Sequence, residues 1–153
     1  MKYRFLSVVL LLNCLPIALL VGADGDSSEQ KKAAAVAAEF INSYVKAIPQ
    51  FESSMSGADW VKRSPLASPE FKKRLADLYR QALRDDPEMG YGADAVLGAQ
   101  DYPDSFKVQS VRIDGDQAAV ELLSTEPFEM ELRMTLIRHE DSWLVDGSGD
   151  LVE

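Results

Sequence analysis

The sequence of 153 residues contains one cysteine and one histidine. One thiol closes no disulfide within the chain, so the stapled scaffold of many small secreted domains is excluded. Cys14 also lies in an N-terminal apolar run that reads as a removable leader. Once that leader is gone, the chain offers no cysteine nucleophile or thiolate ligand, and His139 alone builds no zinc site. His139 stands beside Glu140 and Asp141 in an expected hairpin turn, a solvated place and a poor one for a general base. No Gly-x-Ser-x-Gly elbow is present. Basic residues are also scarce: 16 Lys and Arg against 25 Asp and Glu, a net charge of −9 at pH 7. Such a surface repels phosphate backbones, which excludes a nucleic-acid role, and it disfavours adhesion to anionic lipid.

The first 23 residues have the three parts of a secretory signal peptide. Lys2 and Arg4 form the basic start, Phe5 to Val21 the apolar middle, and Val21, Gly22 and Ala23 the small-residue end. A membrane anchor is the competing reading. The run is close to the shortest span, roughly 17 residues, but Asn13 and Pro16 interrupt it. Lipid attachment at Cys14 is disfavoured because Asn13, not a small residue, precedes it. Cleavage after Ala23 leaves residues 24–153 as a single domain with no stable membrane insertion. The two basic leader residues go with it, so the net charge falls by two, from −9 to −11. The expected location is the periplasm or the medium.

Periodicity orders the elements. Ala33, Val36, Ala37, Phe40, Ile41, Tyr44, Val45 and Ile48 recur at helical spacing, predicting a helix from about Glu29 to Ile48 closed by Pro49. Ser27 and Gln30 have capping-box spacing at its start, after a frayed stretch at 24–29. A short helix is expected over Ala58 to Lys62. Ser68-Pro69 opens another, with Phe71, Leu75, Leu78, Ala82 and Leu83 as its buried stripe and its end near Arg84. Residues 85–105 then lose all period, apart from a helical turn at Ala93 to Leu97. This segment holds Asp85, Asp86, Glu88, Asp94, Asp101 and Asp104 and no basic residue; loops this long in compact domains are often functional.

After Ser105 the period becomes two. Strands are expected at Phe106–Ile113, Gln117–Ser124, Phe128–Arg138 and from Ser142 to about Val152, the first pair joined by Asp114-Gly115. Phe128, Met130, Leu132, Met134 and Leu136 face one way and Glu129, Glu131, Arg133 and Thr135 the other. Helices grouped before a sheet give an α+β class, with the N-terminal helices packed on one face of a curved antiparallel sheet.

This order, with Asp86-Pro87 after the last helix, Gln100-Asp101-Tyr102-Pro103-Asp104 before the first strand, and Trp143, Val145 and Asp146 in the last, resembles the nuclear transport factor 2-like (cystatin-like cone) superfamily. Within it, residues from about 30 to 150 are similar to a family of exported bacterial proteins and lipoproteins. The resemblance implies a cone whose sheet wraps the first helix, often with a pocket at the open end, and an envelope location. It implies no established activity, and the lipid anchor of some members does not carry over.

The candidate contact residues are Trp60, Tyr91, Asp94, Gln100, Asp101 and Tyr102. Functionally, Gln100 and Asp101 would read a polar ligand at a pocket mouth; structurally, they would hydrogen-bond their own loop. Trp143 is expected in the core, and Trp60 stands between core and platform. The Asp146-Gly147-Ser148-Gly149-Asp150 run lacks the flanking oxygens and closing glutamate of a calcium loop and reads as a turn or frayed strand. The residues point to no metal and no cofactor.

The leading expectation is a non-catalytic domain that binds a protein or a small ligand through residues 85–105 and the segment around Trp60, an inhibitor or immunity type meeting a basic envelope protein. The first alternative is a pocket enzyme of isomerase or hydratase type. Asp59, Asp94, Asp101, Tyr44, Tyr91 and Tyr102 supply its residue types, but nothing in the sequence sets two of them on facing walls. The second is a structural subunit, a homodimer through the outer sheet face, where Glu121, Glu129, Glu131 and Arg133 oppose a large apolar contact. Mass spectrometry of the exported protein should give a chain beginning at Asp24; an intact mass that retains Lys2 and Arg4 would show that the leader is kept.

Overall fold

The computed structural model describes residues 23–152. The leader up to Gly22, with Cys14, lies outside the described residues. Helix α1 (Ala23–Ala47) comes first, then a 3-10 turn at Ile48–Gln50, α2 (Ser54–Arg63) and α3 (Pro69–Asp85). Strands β1 (Lys107–Asp114), β2 (Gln117–Ser124), β3 (Met130–His139) and β4 (Ser142–Ser148) follow, then a 3-10 turn at Gly149–Leu151. The strands form one antiparallel meander in the order β1-β2-β3-β4. This is the α+β arrangement of helices on an open antiparallel sheet that the sequence resemblance implies.

The α1 stripe is buried as its period requires: Ala33, Ala37, Phe40, Ile41 and Tyr44 have no exposed surface. Against them lie alternate residues of the sheet, Ala118, Val120 and Leu122 of β2, Leu132, Met134 and Leu136 of β3, and Trp143 and Val145 of β4. The register pairs Val120 with Met134 and Leu136 with Val145, so these side chains meet in rows on one face. These residues of α1 and the sheet belong to one buried hydrophobic cluster.

Several expected boundaries move. Helix α1 starts at Ala23, so Ser27 and Gln30 lie inside it and stretch 24–29 is helical. No proline between 23 and 48 interrupts the helix. Helix α2 starts four residues earlier than expected because Ser56 Oγ accepts from the backbone N–H of Ser53 and of Glu52, both at 3.2 Å. Ser68 caps α3 as read, accepting from Phe71 N–H at 2.9 Å. Its buried row is Phe71, Leu75 and Tyr79, at four-residue steps, while Leu83 is exposed. Strand β3 begins at Met130, leaving Phe128 exposed outside the sheet. Strand β4 ends at Ser148 rather than near Val152. Residues 66–68 add a short parallel piece to the β4 edge: Val145 N–H donates to Leu66 at 2.7 Å, and Ser68 N–H to Val145 at 2.8 Å.

A polar clasp fixes α1 to the far end of the sheet. Glu29 accepts from Lys32 at 2.8 Å, from Arg138 at 2.5 Å and from the Trp143 indole N–H at 3.2 Å. The Arg138 guanidinium lies 4.5 Å above the Trp143 ring. Hydrogen bonds from Lys32, and then from Arg138, hold the Glu29 carboxyl down at about 2, against an ordinary 4.5. A depressed carboxyl stabilises the fold above its unfolded value, and that contribution is lost as pH falls from 4.5 towards 2. Acid titration of unfolding should therefore show this loss in the wild type and a flatter curve in Glu29→Gln; identical curves would remove the clasp as a contributor.

Candidate functional site

Residues 85–105 form a tightly tied segment rather than an open loop. Asp86 Oδ1 accepts from the N–H groups of Glu88 at 3.1 Å and Met89 at 3.0 Å, which turns the chain after α3. A second turn closes at Asp94, whose carbonyl accepts from Gly98 at 2.7 Å and whose N–H donates to Ala99 at 2.8 Å. This is the turn expected at Ala93 to Leu97. The Asp94 carboxylate does more. Oδ1 accepts from Val96 N–H at 2.9 Å and Leu97 N–H at 3.1 Å, and Oδ2 from the Tyr44 hydroxyl at 2.6 Å. Tyr44 comes from α1, so one carboxylate ties the segment to the first helix.

Burial raises the Asp94 carboxyl above the ordinary 3.8, and its hydrogen bonds from Tyr44, Leu97 and Val96 oppose that shift. Tyr44 is pushed up by burial and then by the Asp94 charge, so its hydroxyl keeps its proton and donates. Gly57 of α2 makes room for the pair: a Cβ there would stand 2.5 Å from the Tyr44 oxygen.

The other side of the segment docks on the end of β4. Ser148 Oγ donates to the Val96 carbonyl at 2.7 Å, and Asp150 N–H to Ala95 at 3.1 Å. Gly149, at φ 56°, lies so close that a Cβ would stand 2.6 Å from the Ala95 oxygen. The run 146–150 is thus the end of β4 and a docking turn, not a frayed strand.

The candidate residues separate. Asp94 and Gln100 share a pocket of about 350 Å³ with Phe51, Tyr79 and Met89. Gln100 Nε2 donates to the Gly92 carbonyl at 3.0 Å, the loop-bracing role weighed from sequence. The Tyr91 hydroxyl donates to Asp150 at 2.7 Å, and its ring meets Tyr79 edge-on at 5.6 Å. Burial and Asp150 push Tyr91 up to about 12. Asp101 and Tyr102 are exposed. Trp60 is half-buried and packs edge-on against Phe40 at 5.5 Å and Tyr44 at 5.2 Å. It borders a different pocket, with Glu39 and Arg63. Sequence reading placed Tyr44 in the α1 stripe and among the residue types of a pocket enzyme, and missed its pairing with Asp94. It also missed Phe51 and Tyr79, which carry no local motif, and it read Asp150 within a turn without its link to Tyr91.

No protein-family model matches the chain, and no curated protein matches it. Among solved structures, it is similar to a chain of the native type VI effector–immunity complex Tae3–Tai3 from Ralstonia pickettii. That likeness has 21% identity and a TM-score of 0.46, over 82% of this chain and 98% of that one. The selenomethionine form of the same complex gives 21% and 0.44, over 80% and 98%. A de novo designed NTF2 fold protein, NT-9, gives 10% and 0.36, over 78% and 86%.

Outward, the segment is acidic. Asp85, Asp86, Glu88, Asp101 and Asp104 are exposed, and none forms an ion pair among the described residues. On the outer sheet face Glu121 pairs with Arg133 at 4.0 Å and accepts from Ser110 at 3.0 Å, a polar surface. No helix of the described residues is long and apolar enough to cross a membrane, and no group of His, Cys, Asp and Glu among them is arranged to hold a metal.

Tyr44→Phe leaves a half-buried carboxylate oxygen without its donor. That should cost about 1–3 kcal/mol of unfolding free energy, read by urea titration. Gly149→Ala should also destabilise, with faster amide exchange at Val96 and Leu97. An unchanged midpoint in both variants would show that the segment is not tied through these contacts.

Proposed function

We propose that the protein is a non-catalytic binding domain that presents the face of residues 85–105 to a basic protein partner. The observation that carries the reading is the division of carboxylates in that segment. Asp94, the half-buried one, has both oxygens engaged by its own fold. The five exposed ones have no counter-charge in a segment without a lysine or arginine. A rigid surface with an unbalanced field favours encounter with a basic protein and specifies its orientation. The signal-like leader, residues 1–23, supports an exported, envelope setting for the meeting, and an inhibitor or immunity-type protein is the form this reading takes there.

A second reading has one observation in its favour. The 350 Å³ pocket borders a carboxyl with a raised pKa, which suits a small polar ligand or an acid–base enzyme. The engaged Asp94 oxygens weigh against catalysis.

The test is capture from envelope extract with the wild type and with a variant carrying Asp85→Asn, Asp86→Asn, Glu88→Gln, Asp101→Asn and Asp104→Asn. A basic protein should be retained by the wild type. Its association with the variant should be slower by about tenfold or more at low salt, with a smaller salt dependence. An acidic partner, or equal rates for the two chains, would overturn the reading.

A further inference from the structure

The pocket at Asp94 opens beside the acidic face, between the start of α2 and residues 89–100. Phe51 and Tyr79 supply aromatic walls, Asp94 a carboxylate, and Met89, 70% exposed, stands in its lining. No lysine, arginine or histidine lines it. Gln100 gives its Nε2 to the Gly92 carbonyl, and its side-chain oxygen has no partner among the described residues. The absence of a side chain at Gly57 keeps this wall low.

We propose that this pocket is an anchor site for one lysine or arginine side chain of the partner, its cationic end at Asp94 and its methylene stem along Phe51, Tyr79 and Met89. The inference rests on the protein-binding reading above. Three features select a cation. The lining offers a carboxylate and an amide oxygen, and an ammonium or guanidinium supplies only donors. The apolar side chains of the lining, Phe51 and Met89 above all, suit the methylene stem of a long cationic side chain. An anion would meet the Asp94 charge and the field of the exposed carboxylates outside. The pocket is also formed in advance, because three hydrogen bonds fix the carboxylate and the Tyr79 hydroxyl accepts from Ala95 N–H at 3.0 Å. A preformed pocket loses little ordering entropy when filled.

The probe is n-butylguanidinium, with n-butylurea as its neutral counterpart, titrated into the isotope-labelled exported chain and followed by amide resonances. The guanidinium should move Gly57, Gly92 and Asp94 saturably, and the urea should not. Met89→Lys places an ammonium at the pocket without touching the core and should weaken this binding by about tenfold or more through like-charge repulsion. Equal responses to the two probes, no saturation, or no effect of Met89→Lys would overturn the anchor. The two proposals fail separately. A captured basic partner that binds wild type and Met89→Lys alike, but not the five-site neutral variant, sinks the anchor and keeps the acidic face. Saturable guanidinium binding with no basic partner captured sinks the partner reading and keeps the cation site.

Discussion

The carboxylate of Asp94 holds the unusual part of this fold together. Its two side-chain oxygens accept three hydrogen bonds and its backbone closes the turn to Gly98 and Ala99. Removing a charge from water is costly unless donors replace the solvent. Here the replacements come from two places distant in sequence, the Tyr44 hydroxyl on α1 and the local N–H groups of Val96 and Leu97. The cost of burial is therefore offset only when the segment sits on α1 in one register. A polar group that is satisfied in one arrangement alone specifies that arrangement; Gly149 has no side chain where the segment comes closest, and Gly57 has none where Tyr44 sits.

That constraint changes the character of residues 85–105. A stretch with three glycines, two prolines and no hydrophobic period has the composition of a mobile lid. Its centre is instead part of the core, with Ala95, Val96 and Leu97 buried. Hydrogen bonds from the Ser148 hydroxyl and the Asp150 backbone N–H extend the hold to the end of β4 and the turn after it. Asn42 adds a further tie where the segment ends: it donates to the Phe106 carbonyl at 3.1 Å and accepts from Phe106 N–H at 2.8 Å. The same segment then serves as scaffold on one side and as charged surface on the other.

Much of the fold was legible because it rests on periodicity. The α1 stripe, the Ser68-Pro69 start of α3, the Asp114-Gly115 turn and the alternation of β2 and β3 each follow from local rules, and the observed strand β2 has the bounds read for it. Misreadings arose where tertiary contact decides. Phe128 continues the alternation of β3 in sequence, yet pairing with β2 stops at Met130 opposite Ser124. The parallel piece at residues 66–68 has no strand pattern, since its pairing is supplied by the free edge of β4. The candidate site was half legible. Unbalanced acid and lost period drew attention to residues 85–105, and Asp94 and Gln100 do share a pocket. Asp94 differs from Asp101 in sequence only by its neighbours Ala95, Val96 and Leu97, whose burial carries it inward. Tyr44 was visible as one member of an apolar stripe. Its hydroxyl partner, fifty residues away in sequence, was not.

The two sets of carboxylates respond differently to their surroundings, and this separates holding from steering. The contacts that tie the centre and end of the segment to α1 and β4 are hydrogen bonds among buried or half-buried groups, which salt screens little. The exposed carboxylates act through water over distances comparable with the Debye length, about 8–10 Å at physiological ionic strength. Raising the salt therefore weakens the outward field without loosening the surface that bears it. Had the segment been held by ion pairs between its own acids and neighbouring bases, those bases would have cancelled the field. Keeping lysine and arginine out of residues 85–105 thus forces the fold to secure them by backbone and hydroxyl donors. Asp94, buried among such donors, makes that exclusion structurally affordable.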